Sequence, residues 1–278
     1  MNRYVFGMHR GGSSVMGRLA ASAARISNSP LVRLGEQDKT LPEEGPRGAA
    51  KRVDTLRDAD GLAIDAVYAA QPDNWRAHSG LFAPIRRADL FPPEVFADGD
   101  RAVLLMRDPR DCMVSGYYGF LRLHAGGLDN PEQRRRYEMG VDTYVLTHML
   151  PRYARVVDDY MALQDQLPAL QVLHYEHMVT DFPAWLDTFL TALDLPDSVR
   201  LRDRLRLRRI SPGLRDVMLA HHAGDFTRPS GENIDTHKRQ MLPGDHVRKL
   251  APDTIATINA AMAPALARFG YAGSPPTN

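Results

Sequence analysis

Cysteine is almost missing from this chain of 278 residues. Cys112 stands alone, which excludes an internal disulfide framework and fits the reducing cytoplasm in which we expect the protein to work. Long apolar runs are missing too. Nothing approaches the ~20 apolar residues of a membrane span, so no membrane span is expected. The N-terminal run Tyr4 to Met8 is short and reads as the first strand of the fold rather than as a removable leader. Charge of one sign is not in excess: a formal net charge of +1 argues against a nucleic-acid surface. Regular metal-ligand spacing is absent among the histidines. His221, His222, His237 and His246 have no Cys partner, so they read as solvated and no metal is expected.

What is present begins at once. The apolar segment Tyr4-Val5-Phe6 runs into Gly7-Met8-His9-Arg10-Gly11-Gly12-Ser13-Ser14 and then into a helical pattern. Gly7 and Gly12 have the spacing of a P-loop, in which glycines let backbone N–H groups turn toward an anion at a helix N-terminus. Ser13 takes the place of the Lys that reaches a γ-phosphate in nucleotide hydrolases, and the cation stands inside the loop at Arg10. A second strand-to-helix junction follows about a hundred residues later. Ala102-Val103-Leu104-Leu105-Met106 reads as a buried parallel strand opening into Arg107-Asp108-Pro109-Arg110-Asp111. Asp108 or Asp111 can cap the helix that Pro109 begins. Taken singly, an ordinary turn at the first junction and a strand-end ion pair at the second would explain each. Alternating apolar runs and helical stretches predict one α/β domain over residues 1–278, with a central parallel sheet flanked by helices and a disordered tail from about 273.

At this point the chain resembles the sulfotransferases that use 3′-phosphoadenosine 5′-phosphosulfate, in which a strand ends in Arg and a Ser follows eight positions later, then aromatic residues. Arg107, Ser115, Tyr117 and Tyr118 hold that pattern. The resemblance implies a P-loop-like fold, and a loop of Arg10, Gly11, Gly12, Ser13 and Ser14 that binds the 5′-phosphosulfate. It implies further that Arg107 and Ser115 bind the 3′-phosphate, that Tyr175 at the end of a later strand, Leu170 to Glu176, contacts adenine, and that Arg228, Ser230 and Gly231 lie in the loop closing over the 3′-phosphate. The family's Trp after the first loop is replaced by Val15 or Met16, and Ser211 is a weak substitute for its adenine contact. A helix from about Pro252 to Phe269, ending in Gly270-Tyr271, completes the likeness.

By the same resemblance His78 is the catalytic base, with the cation Arg76 two residues before it and Arg10 sharing the charge of the transition state. His9 is its rival, and a carboxylate such as Asp65 the next alternative. The acceptor is expected to be a small molecule offering a hydroxyl or amine. Its walls are expected from the segments Leu34 to Asp60 and Gly126 to Met139, although the run Arg134-Arg135-Arg136 reads more readily as a solvated helix face. A P-loop kinase or hydrolase, and a nucleotide-binding relative without catalysis, stay open as alternatives.

Overall fold

The computed structural model describes residues 1–32, 71–123, 127–195, 213–226, 231–234, 239 and 241–273. The segment Leu34 to Asp60, Asp65, Ser211, Arg228, Ser230, His237 and the tail after Gly273 lie outside the described residues.

Among the described residues five strands form one parallel sheet: β1 (Arg3–Gly7), β2 (Leu31–Val32), β3 (Leu81–Ile85), β4 (Arg101–Met106) and β5 (Leu170–His174), in the order β2-β3-β1-β4-β5. Each central strand is apolar on both faces because helices cover both. Along β1, Tyr4 and Phe6 point to one layer and Val5 to the other. The first layer holds α3 (Pro109–Leu123) and α6 (Leu150–Gln166). The second holds α1 (Ser13–Ser27), α8 (Phe182–Leu193) and α9 (Leu214–His222). Among the described residues no helix is long and apolar enough to cross a membrane.

Between these lie shorter helices: α2 (Pro72–Arg76), α4 (Pro131–Glu138), α5 (Val141–Tyr144) and α7 (Tyr175–Thr180), then α10 (Asp245–Lys249), α11 (Pro252–Ala261) and α12 (Ala263–Arg268). Three expectations are corrected here. The later core strand stops at His174, and Tyr175 and Glu176 already belong to α7. The C-terminal helix is two helices broken at Met262, because Pro264 cannot donate a helical N–H. The stretch after α3 is not an extended loop: Asn130 caps α4 through Glu132 and Gln133 N–H, and Arg135 and Arg136 pair with Glu132 on its exposed side. The arginine run is therefore a solvated helix face.

Register sets the functional edge. Arg3 pairs with Leu81 and Arg101, Gly7 with Leu105, and Met106 with His174. The chain thus leaves β1, β4 and β5 on one side of the sheet, placing the loop 8–12, Arg107 and Tyr175 side by side.

Candidate active site

The first loop turns because Gly11 N–H donates to Met8 O (3.1 Å) and Gly12 adopts φ 93°, a left-handed conformation open to glycine. A Cβ on Gly12 would also stand 2.9 Å from the Tyr175 ring. Helix α1 makes its first bond from Met16 N–H to Gly12 O, so the amides of Ser13, Ser14 and Val15 have no intrahelical partner and face the sheet edge. Ser14 is exposed and Ser13 buried. The result is an anion cradle at a helix N-terminus.

Arg10 is held in the left-handed region (φ 61°), and its guanidinium donates to Ser115 O at 3.2 and 2.9 Å while lying 5.2 Å from the Phe120 ring centre. Ser115 therefore meets Arg10 through its carbonyl. Arg107 leaves the end of β4 almost buried. Its Nη1 donates to Arg10 O (3.1 Å), its guanidinium lies 4.6 Å from the Tyr175 ring centre, and Asp111 stands 3.9 Å from its Nη2. Arg107 Nε is buried with no hydrogen-bond partner among the described residues. A buried cation with one unused donor beside a row of amides that have no intrahelical partner fits a ligand carrying two phosphate-like groups. Tyr175 is buried between Gly12 and Arg107, so its ring supports both and offers little face to a base.

The expected placement of His78 and Arg76 is corrected by the sheet. His78 precedes β3, whose first residue pairs with the first residue of β1, whereas the cradle follows the last. With a rise of about 3.3 Å per residue, roughly 13 Å of strand separates the two edges. Trp75 pins the segment there by packing on Tyr4, Phe82 and Phe91. Arg76 is exposed and pairs with Asp73 at 3.4 Å.

Two residues not predicted for this edge, Arg86 and Arg239, stand there with His9, the rival named from the sequence. Arg86, just beyond β3, donates from Nε to Ser13 Oγ (3.2 Å). His9 keeps its ring open to solvent, yet desolvation by surrounding protein, and then the charges of Arg86, Arg152, Arg10 and Arg87, push its pKa down to about 4. Arg239 is buried, stacks 4.7 Å from the Tyr118 ring centre, and is paired with Glu232 and Asp245. Gly231 is exposed next to that Glu232. Burial, followed by the charges of Arg107 and Arg239, lowers the pKa of Arg10.

The Arg239 segment is tied down by a buried network. Asp108 caps α3 by accepting Arg110 N–H (2.9 Å) and takes the Arg110 guanidinium as well. Asp111 reaches outward to Gly244 N–H (2.9 Å), His246 N–H (2.9 Å) and His246 Nδ1 (2.6 Å). Burial alone would raise the Asp111 pKa, but His246 and Arg107 together hold it below the ordinary carboxylate range. Glu176 accepts Asp108 N–H and the Tyr271 hydroxyl, and its burial raises its pKa. His246 and His222 are thus buried and bonded, His222 between Asp225 (2.7 Å) and Ser22 (2.9 Å), and not solvated as expected.

A family model described as "Sulfotransferase domain" matches residues 5–269. The chain belongs to the sulfotransferase domain family. Among solved structures, this sulfotransferase is similar to mouse sulfotransferase SULT7A1 complexed with PAP, at 11% identity over 96% of this chain and 84% of that one, with a TM-score of 0.53. It is also matched to sulfotransferase STF9 from Mycobacterium avium, at 13% identity over 96% and 77% of the chains and a TM-score of 0.49. A third match is the sulfotransferase domain from the curacin biosynthetic pathway, at 12% identity over 99% and 98% and a TM-score of 0.44. The mouse structure supports the α/β fold expected from the sequence. No curated protein shows significant sequence similarity to the chain.

Proposed function

We propose that this sulfotransferase moves the sulfuryl group of 3′-phosphoadenosine 5′-phosphosulfate to a hydroxyl or amine of a small-molecule acceptor, in the cytoplasm. The observation that carries the reading is the pair of strand-end anion sites on neighbouring strands β1 and β4, joined by the Arg107 to Arg10 bond. The donor supplies an electrophilic sulfur and a bisphosphate leaving group. The amides of Ser13 and Ser14, the turn at Gly11 and Gly12, and Arg10 hold its 5′ end. Arg107 binds the 3′-phosphate, with Arg239 beside it and the Ser115 hydroxyl one helical stretch away; Arg228, Ser230 and Gly231 are retained as candidates for its cover. We assign Tyr175 to holding Arg107, which leaves adenine stacking to other residues.

For proton transfer we propose His9 in place of His78. A His9 ring that is neutral above about pH 4 can accept the hydroxyl proton as the acceptor oxygen bonds to sulfur and the bond from sulfur to the bridging oxygen breaks. Arg10 and Arg86 face the charge that gathers on that oxygen. Anionic donor beside these guanidiniums raises the basicity of His9 toward the useful range.

Two measurements test this. Calorimetry should show adenosine 3′,5′-bisphosphate binding far more tightly than ATP; preference for ATP with Mg²⁺ dependence would replace the reading with a P-loop kinase or hydrolase. His9→Ala should lower kcat by about 10²–10⁴-fold with bisphosphate affinity nearly unchanged, while His78→Ala keeps turnover. The opposite ranking restores His78, and tight bisphosphate binding without transfer to any acceptor points to the relative without catalysis.

A further inference from the structure

The charges at the cradle fall into two groups that meet at Arg10. Arg10 itself feels Arg107 and Arg239, whereas His9 feels Arg86, Arg152, Arg10 and Arg87. The first group lies along β4 and the α10 side, where the donor's phosphates are assigned. Within the second, Arg87 is neutralised by a bidentate pair with Asp89 and Arg86 is engaged by Ser13. Arg152 is different. It is exposed, and it makes no ion pair among the described residues; its guanidinium lies 5.2 Å from the Phe120 ring centre, as far as that of Arg10 lies from the same ring.

The backbone holds Arg152 in that place. The next residue, Tyr153, is buried and donates its hydroxyl to His9 O at 2.9 Å, tying α6 to the loop. Just before α6 the chain makes a π-helical turn at Val145–Met149, with Leu150 N–H reaching back to Val145 O. Pro151 follows and cannot donate. The π turn thus lies directly ahead of the turn of α6 that carries Arg152 and Tyr153, and π turns recur at functional sites. A cation stacked on an aromatic ring and held beside the proposed base is a ready anchor for a carboxylate, sulfate or phosphate.

Resting on the sulfuryl-transfer reading, we infer that the acceptor is itself an acid: a compound whose hydroxyl or amine is presented to His9 while an anionic group on the same molecule docks on Arg152. A neutral acceptor would leave that guanidinium without an anion. An acid supplies the anion and is oriented by it, which brings its hydroxyl to the sulfur.

The test uses matched acceptors, each as free acid and methyl ester: a hydroxybenzoate, a hydroxycinnamate and a uronic sugar, with labelled donor and either wild-type protein or Arg152→Gln. Wild type should favour an acid over its ester by at least about tenfold in kcat/KM. Arg152→Gln should bring the ratio close to one, mainly through KM, while bisphosphate affinity stays within about twofold and Arg152→Lys recovers part of the preference. Esters that match or exceed acids, or a ratio untouched by Arg152→Gln, overturn the inference and leave sulfuryl transfer standing. A loss of bisphosphate affinity equal to the loss of acid preference overturns it by giving Arg152 to the donor. Should no pair be sulfated, the melting temperature of bisphosphate-loaded protein decides: acids must raise it in wild type and not in Arg152→Gln, or the inference fails. Failure to bind the bisphosphate at all brings down the sulfuryl-transfer reading instead.

Discussion

Arg107 concentrates several jobs in one side chain: it donates to Arg10 O, covers Tyr175 and keeps a buried Nε in reserve. Arg107→Ala removes a charge-assisted contact of about 1.5–3 kcal/mol, so affinity for adenosine 3′,5′-bisphosphate should fall roughly ten- to hundredfold, and 5′-AMP should be affected much less. Equal losses for both nucleotides in calorimetry would place Arg107 away from the 3′-phosphate. Gly119 makes a quieter prediction. A Cβ there would fall on the Arg10 guanidinium, the far end of a flexible side chain. Gly119→Ala should therefore leave the melting temperature close to wild type while lowering bisphosphate affinity and turnover, because Arg10 is pushed off Ser115 O. A variant that melts early but binds normally would refute this account.

At the scale of elements, α3 and the segment around α10 are locked by Asp111, which accepts from Gly244, His246 N–H and His246 Nδ1. Asp111→Ala leaves buried donors without an acceptor and should cost about 3–5 kcal/mol in urea unfolding. The pH dependence has a definite sign. A carboxylate whose folded pKa is depressed stabilises fully above its unfolded value of about 3.9 and loses that contribution as pH falls through the folded value. The difference in stability between wild type and Asp111→Ala should therefore shrink below about pH 4. The same elements show what was legible in the sequence. The junctions β1 to α1 and β4 to α3 are local: glycine, proline and the strand-end arginine lie within a few positions of the turn that uses them, and both formed as read. Arg76 and Arg86 flank the same strand, and spacing does not reveal which end of a strand meets the cradle. The double arginine directly after the apolar run Leu81 to Ala83 was the available signal. Arg239 was out of reach, since its place depends on a chain returning from more than a hundred residues away to meet Tyr118. Likewise the strand ends one residue before Tyr175 rather than including it, and the packing of its ring against Arg107 is a tertiary fact.

For the whole molecule, ligand and fold are coupled by mass action. Adenosine 3′,5′-bisphosphate at a hundred times its Kd should stabilise the protein by about 2.7 kcal/mol, while equal ATP should do much less. For a chain of this size that raises the melting temperature by several degrees, which a thermal scan can read; no shift would remove the bisphosphate site. The sheet order makes this a property of the entire domain, because β1 and β4 are neighbouring inner strands and each leads into one of the two proposed anion sites. The short bond from Arg107 Nη1 to Arg10 O has a consequence of its own. Whatever grips the guanidinium on one strand also steadies the backbone of the loop on the other, so occupancy of either half prepares its neighbour. Fragments of the donor, such as adenosine 3′-monophosphate and inorganic pyrophosphate, would then bind together more tightly than their separate affinities multiply to, and the intact donor would be recognised as a span between two charges rather than as their sum.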